Sequence, residues 1–207
     1  MKRLFCILFA CSVAALSWGQ TAQEIIARMD EAMAKVDSDN VAFSLDMKMP
    51  IIGTVNTRAY SCGEKSRMEI SKGDEKSIVW IDGDTQWELD VKKNEIEISR
   101  HEPTASSTTD DNMEMFDGIT DGYDVSIKKE TPTQWQIRCK KSSSNKDKDD
   151  PKTMDLVVSK ADYMPLSLSA KMSMVTVTIR DVSFNVTESM VTFDPTRYPT
   201  AKIIDKR

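Results

Sequence analysis

The chain has a single histidine, His101, and only 7 glycines among its 207 residues. His101 stands beside Glu102 in a polar segment, and no serine or cysteine motif brings an obvious base with it, which argues against nucleophilic catalysis. So few glycines leave little room for a phosphate-binding loop. We therefore expect no catalytic residue and no cofactor. A small hydrolase or isomerase would have to depend on His101 or on the Asp82 and Asp84 pair, whose carboxylates a tight turn already explains.

Clusters of basic residues are also missing. The 28 lysines and arginines face 33 acidic residues, which gives a formal net charge of -5. An acidic balance without a basic cluster argues against nucleic acids, and against anionic membrane surfaces as main partners. With 29% charged residues, the composition favours solubility in an aqueous compartment.

Cysteine is scarce, and two of the 4 cysteines, Cys6 and Cys11, lie in the apolar N-terminal stretch. The others, Cys62 and Cys139, either pair or remain as two buried thiols, and the sequence leaves both open. A disulfide closing so long a loop would add about 4 kcal/mol in the chain-entropy model. Two cysteines and one histidine without ligand spacing do not predict a metal site.

The first 19 residues, MKRLFCILFACSVAALSWG, combine a basic start, a short apolar run and small residues near the end. This pattern is typical of a secretory signal peptide, with cleavage near Gly19 and Gln20. The apolar run is shorter than the ~20 residues that span a bilayer. Cleavage before Cys11, as in a lipoprotein, is the alternative, but Phe9 fits that signal badly. We expect an exported chain with a single domain, residues 20–207.

Hydrophobic periodicity predicts one helix followed by strands. Residues 22–36 have helical spacing, with Thr21 as N-cap and Glu24 completing a capping box. From Val41 onward the period changes to two, and about a dozen alternating runs follow, too many for one flat open sheet. We therefore predict a mainly β chain of the α+β class, with a curved antiparallel sheet that forms an incomplete barrel. The predicted strands are 41–49, 54–61, 66–70, 77–81, 86–91, 95–99, 123–128, 134–140, 153–159, 165–172, 175–186 and 191–193.

A long segment, residues 101–122, separates the two series of strands. Small polar residues lead there to an apolar knot of Met113, Met115 and Phe116, which predicts a short helix. A loop of this length inside a domain is often functional, and a lid over an apolar face is a common role. The alternative is a connector whose apolar residues only plug an edge of the sheet.

The stretch SIVWIDGDTQWELDV, residues 77–91, presents a wide apolar surface from two short strands. This surface is either part of an ordinary core or the wall of an apolar cavity. The 13 methionines allow the same two interpretations, because methionine fills irregular cores and also lines surfaces that accept ligands of varied shape.

Two stretches resemble a known family. SIVWIDGDTQWELD, residues 77–90, and the chain end VTFDPTRYPTAKIIDKR, residues 191–207, are similar to segments of the outer-membrane lipoprotein carrier proteins, the LolA family. In layout the resemblance covers nearly the whole chain after the signal peptide. In residues it is confined to these two stretches.

The resemblance implies a monomeric periplasmic carrier whose apolar concave face holds the acyl chains of lipoproteins, or of related lipids, beneath covering helices. Such a carrier moves its cargo from an inner-membrane transporter toward an outer-membrane receptor. The alternative is a lipid-sensing or protein-interaction module of the cell envelope with the same fold. Met113, Met115 and Phe116 would form the lid, and the expected apolar lining is Phe43, Leu45, Met47, Met68, Ile70, Trp80, Trp87 and Leu89.

One position departs from the family pattern. Family members carry an arginine, which latches the lid, before the strand that precedes the tryptophan hairpin. Here Glu64 occupies the matching position, and Arg67 follows three residues later. Arg67 either takes over the contact with the lid or is a surface charge.

Overall fold

One amphipathic helix precedes the strands. A computed structural model describes residues 20–36, 39–102, 116 and 118–207, so the expected signal peptide lies outside the described residues. Helix α1, Ala22–Met33, begins with the predicted capping box, in which the Thr21 hydroxyl accepts from the Glu24 N–H and the Glu24 carboxylate accepts from the Thr21 N–H. It ends at its C-cap Ala34, earlier than the predicted residue 36, because residues 34–36 form a turn.

The described residues also form twelve strands that belong to one sheet. Their order across the sheet is β12-β6-β5-β4-β3-β2-β1-β11-β10-β9-β8-β7, and each pair is antiparallel except β12 with β6. The two edges, β12 and β7, are different strands, so the predicted incomplete barrel is confirmed. The strands are β1 (Ala42–Met49), β2 (Gly53–Cys62), β3 (Lys65–Lys72), β4 (Glu75–Asp82), β5 (Thr85–Asp90), β6 (Glu95–Arg100), β7 (Tyr123–Glu130), β8 (Gln134–Lys141), β9 (Thr153–Ser159), β10 (Pro165–Met172), β11 (Val175–Ser183) and β12 (Lys202–Asp205).

The C-terminal segment differs from the sequence prediction. The strand expected at residues 191–193 is wrong, because Glu188–Val191 form a single helical turn, α2, and Pro195–Arg197 form a 3-10 turn. The Asp194 carboxylate caps that turn by accepting from the Thr196 N–H. The sequence pattern did not predict β12, whose register depends on a parallel partner distant in sequence, β6.

Short turns fix the register of β2 to β5. Each turn has two residues and begins with a glycine, Gly63, Gly73 or Gly83, at φ values of 57°, 59° and 56°. A positive φ at the first turn position but not at the second is the mark of a type II′ hairpin, in which glycine adopts the first position without strain. The residue pair next to each turn determines every later pair along the two strands. Met68 therefore lies opposite Val79.

The register gives the sheet two faces of different composition. Directly opposite residues lie on the same side of an antiparallel pair. One side, here the helix face, carries the row Phe43, Ala59, Met68, Val79, Glu88 and Glu97. The other side, here the tail face, carries the adjacent row Ala42, Tyr60, Arg67, Trp80, Trp87 and Ile98.

The largest core lies on the helix face, beneath α1. Ile25 and Met29 of the helix are fully buried there, together with Ile137 and Leu156 of the sheet. The same cluster includes Phe116. The helix therefore covers the half of the sheet formed by β7 to β11 and β1 and leaves β2 to β6 to other segments.

Truncation of Ile25 should destabilise the fold. We expect Ile25→Ala to lower the free energy of unfolding by about 2 to 5 kcal/mol, because the vacated volume lies in a closed core. Glu31→Ala, at an exposed position of the same helix, should change it by less than about 0.5 kcal/mol. Denaturant titration followed by circular dichroism measures both, and equal effects of the two substitutions would contradict the packing described here.

Candidate functional site

The apolar surface of residues 77–91 is covered by the C-terminal segment of the same chain. The Trp80 ring meets Phe193 and Tyr198 edge-on, with ring centroids 5.3 and 5.6 Å apart, and Trp87 stacks on Phe193 at 5.2 Å. Trp80 is only 3% exposed. This surface is therefore an ordinary core, which we call the tail core.

The expected lining of eight residues is wrong as a single surface. The register places Phe43, Leu45, Met47, Met68 and Ile70 on the helix face. It places Trp80, Trp87 and Leu89 on the tail face, across the sheet. Side chains alternate between faces along a strand, and two-residue turns set which of them meet, so hydrophobicity alone did not assign the faces.

Arg67 belongs to the tail face, and its contacts among the described residues are with the sheet and the C-terminal segment. Its guanidinium lies between the rings of Tyr60 and Trp80, at 5.6 and 5.8 Å, and donates to the Glu69 carboxylate and to the Met190 carbonyl oxygen at 3.4 Å. The interpretation of Arg67 as a plain surface charge is therefore wrong, while the lid-latch role concerns a segment that lies mostly outside the described residues and stays a prediction. Among the described residues its Nε has no hydrogen-bond partner.

An ion-pair network holds α2 beside Arg67. The Lys65 ammonium donates to Glu188 at 2.6 Å and lies 3.2 Å from Asp82. Hydrogen bonds to these two carboxylates raise the pKa of Lys65, and the bond from Lys65 lowers the pKa of Glu188. Together with Arg67, this network fixes the C-terminal segment to the tail face.

Cys62 and Cys139 do not pair. Cys62 on β2 packs in a small tail-face cluster, while Cys139 on β8 is buried in the helix-face core. Five strand spacings of about 4.8 Å separate the two strands, well beyond the ~7 Å that a disulfide allows between Cα atoms. Burial raises the pKa of the Cys139 thiol to about 11.

The candidate site is the part of the helix face beyond the α1 core. Val79, which the sequence analysis missed, is 7% exposed, and its neighbours on this surface are half-buried. The sequence could have indicated Val79, because side chains alternate along a strand. Val79 stands between Ile78 and Trp80 of the tail core and therefore lies on the opposite face. Phe43 itself belongs to the α1 core. We call this surface the apolar floor, and its members are Leu45, which packs against the α1 core, and Met47, Met68, Ile70 and Val79.

An open groove of about 680 Å³ adjoins one end of the apolar floor. Val55 and Ile70 form its apolar base. Its rim is charged and includes Lys72, Glu75 and the ion pair of Lys93 with Asp90, at 2.7 Å. The hydrogen bonds within this pair lower the pKa of Asp90 and raise that of Lys93. An apolar base with a charged mouth suits a molecule that has an apolar chain and a polar head.

The expected lid lies mostly outside the described residues, which include neither Met113 nor Met115. Phe116 is buried in the helix-face core. That position places the end of this segment on the same side of the sheet as the apolar floor. The lid role of the three residues stays a prediction.

The alternative site residues have other environments. His101 lies in a polar depression with Arg100 and Asp205, and the carboxylate of Asp82 pairs with Lys65. In the described parts of the chain, no three His, Cys, Asp or Glu side chains meet in a group that could hold a metal ion. No helix within the described ranges combines the length and the apolar character that crossing a membrane requires.

Comparison with solved structures identifies the fold. LprF of Mycobacterium bovis matches 78% of this chain and 91% of its own, at 8% identity and a TM-score of 0.51. Lipoprotein LppX of Mycobacterium tuberculosis matches 81% and 96%, at 9% identity and a TM-score of 0.50. The LolA superfamily protein NE2245 of Nitrosomonas europaea matches 85% and 99%, at 12% identity, with a TM-score of 0.33 that is too low to carry an argument. The chain has a LolA-like fold.

The LolA-like fold confirms the resemblance drawn from the sequence at the level of architecture. No protein-family model and no curated protein matches the chain. At such low identities the likeness concerns the fold alone and does not extend to function.

Loss of the Trp80 ring should release the tail core. We expect Trp80→Ala to lower the free energy of unfolding by about 3 to 5 kcal/mol, because the indole fills the space beneath Phe193 and Tyr198. Ser71→Ala on the neighbouring strand β3, away from both rings, serves as the control. A wild-type midpoint for Trp80→Ala in urea titration would show that the tail does not depend on this ring.

The two thiols should stay reduced and react unequally. In the exported protein we expect no mass change on reduction, because the cysteines lie on opposite faces. Cys139 should resist maleimide or disulfide reagents at neutral pH until the chain is denatured, because burial holds it as the thiol. Labelling followed by mass spectrometry, with Cys139→Ser to assign the sites, measures this. An intramolecular disulfide would overturn the assignment of faces.

Proposed function

We propose that the protein is an exported carrier that shelters acyl chains on its helix face. One observation carries the proposal. The apolar floor continues from the α1 core across β1 to β4 and leads into an open groove with a charged rim. The tail core on the other face is covered more fully, since Trp80 and Leu89 are only 3% and 4% exposed, and the groove beside it is smaller, at about 230 Å³.

The chemistry of the floor fits an acyl chain. Each CH₂ group removed from water contributes about 0.8 kcal/mol, so even a short stretch of chain gains from an apolar floor. Met47 and Met68 are flexible and adapt to chains of different shape. The groove falls within the range of about 300 to 1,000 Å³ that is usual for ligand sites. Its lysines, among them Lys72, would meet phosphate or carboxylate head groups.

The proposed cycle is transient burial followed by release, with no covalent step. It requires no cofactor and no catalytic residue. Met113, Met115 and Phe116 are proposed as the cover of the bound chain, which the position of Phe116 on the helix face supports. The proposed cover does not depend on Arg67, whose contacts within the described residues are with the sheet and the tail.

The cellular setting is proposed from the signal peptide and the fold. Residues 1–19 would direct export, and cleavage near Gly19 would release the domain into the periplasm. There it would accept lipoproteins or related lipids from an inner-membrane transporter and deliver them to an outer-membrane receptor, acting as a monomer and without nucleic acid. A LolA-like fold supports this setting without specifying the cargo.

Native mass spectrometry of the exported protein tests acyl-chain binding. We expect discrete adducts with diacylated or triacylated lipopeptides, and we expect Met68→Glu to abolish them, because a carboxylate on the apolar floor repels the chain. Ser71→Glu is the matched control. It adds the same charge to the same strand, on the tail face opposite Lys76, and should leave the adducts unchanged.

One further variant and one further measurement separate binding from folding. Met68→Leu keeps the apolar floor and should keep the adducts, while circular dichroism shows whether Met68→Glu retains the fold. If the wild-type protein shows no uptake, the carrier proposal fails. A stable partner protein that co-purifies with such a lipid-free protein would favour the alternative, an interaction module of the cell envelope.

A further inference from the structure

Four large apolar side chains are exposed at one end of the sheet. Ile51 is 95% exposed and Met174 is 70% exposed. Ile52 and Met172 are also exposed. These residues, here called the tip patch, lie in or beside the turns that connect β1 to β2 and β10 to β11. Side chains so exposed add little to the core, so folding alone does not account for them.

The sheet order brings the two turns together. β1 pairs directly with β11, with Lys48 opposite Thr176, and β11 pairs with β10, with Lys171 opposite the same Thr176. The turns at Pro50 and Ser173 are therefore neighbours at the same end of three adjacent strands. Ser173 adopts a φ of 51° although it is not a glycine. The four apolar residues thus form one projecting surface.

Two lysines flank the tip patch. Lys48 and Lys171 lie on either side of Thr176, on the same face of the sheet, and both are exposed. Within the described residues neither lysine forms an ion pair. Asp46, the acidic residue nearest to Lys48 in β1, forms its ion pair with Arg180 instead. The loop before β9 adds charges of both signs, including Lys148 and Asp149. The lysines are thus available to an anionic partner.

We propose that the tip patch docks the protein on the surface of an anionic lipid bilayer. Projecting aliphatic side chains beside unpaired lysines match the boundary between acyl chains and phosphate head groups. A protein partner would need a broad contact area, whereas a narrow convex tip suits the membrane interface. The acidic balance of the whole chain argued against anionic membranes as main partners, but the two lysines that flank the tip patch have no ion-pair partner among the described residues.

Docking would bring the groove to the membrane. The turn between β3 and β4, beside the groove lysine Lys72, lies at the same end of the sheet as the tip patch. A tip held in the interface would therefore place the mouth of the groove near the lipids. The inference goes beyond the proposed carrier function and does not require it, since vesicle binding and acyl-chain binding are measured separately.

Co-sedimentation of the exported protein with vesicles tests the proposal. We expect binding to vesicles of phosphatidylglycerol mixed with phosphatidylethanolamine, and weaker binding to phosphatidylcholine alone. Ile51→Ser combined with Ile52→Ser should lower the partition coefficient at least about tenfold, the change expected when one aliphatic side chain stays in water. Lys48→Gln with Lys171→Gln should lower binding to the anionic vesicles only.

Ile203→Ser is the matched control. Ile203 and Ile52 are both 52% exposed, but Ile203 lies on β12, six strands away from β1 in the sheet. Ile203→Ser should bind vesicles like the wild type, and the tip variant should still form lipopeptide adducts if the carrier function holds. No binding by the wild type, or an equal loss in Ile203→Ser, would overturn the proposal. So would self-association that the tip substitutions abolish, since the tip would then join two copies.

Discussion

The register of the meander β2 to β5 is the constraint on which the rest of the structure depends. Three glycine turns of two residues set it, and each turn fixes which residue stands opposite which on the next strand. A shift of one residue at any of them would move a whole strand pattern to the other face. Met68 would then point toward the tail, and Trp80 toward α1.

This register makes the middle strands apolar on both faces, so both faces need a cover. On the helix face α1 supplies part of it, through Ile25 and Met29. On the tail face the cover is the C-terminal segment, with Phe193 and Tyr198 against the tryptophans. Arg67 joins the sheet to the tail, because its guanidinium lies over two aromatic rings of the sheet and donates to the Met190 carbonyl oxygen of the C-terminal segment.

The two covers differ in completeness, and the proposed function follows from that difference. The tail covers the two tryptophans with stacked and edge-on aromatic rings and leaves only a small groove beside Ile78 and Val91. On the helix face the row that begins with Phe43 becomes acidic at Glu88 and Glu97, and an open groove adjoins Ile70. The groove shares its end of the sheet with the tip patch. A molecule with an apolar chain and a charged head would find both environments there.

The sequence by itself determined the local elements. Capping at Thr21, alternation along each strand and glycine punctuation are encoded within a few residues, so the helix, eleven of the strands and the open sheet were predictable. Only the tertiary structure decided which apolar residues face each other. That depends on turn length, on partners such as β6 and β12, and on which segment covers each face. Long-range strand pairing, which no local pattern contains, separates Met68 from Trp80 and Cys62 from Cys139. It also places Arg67 on the tail face, away from the helix face.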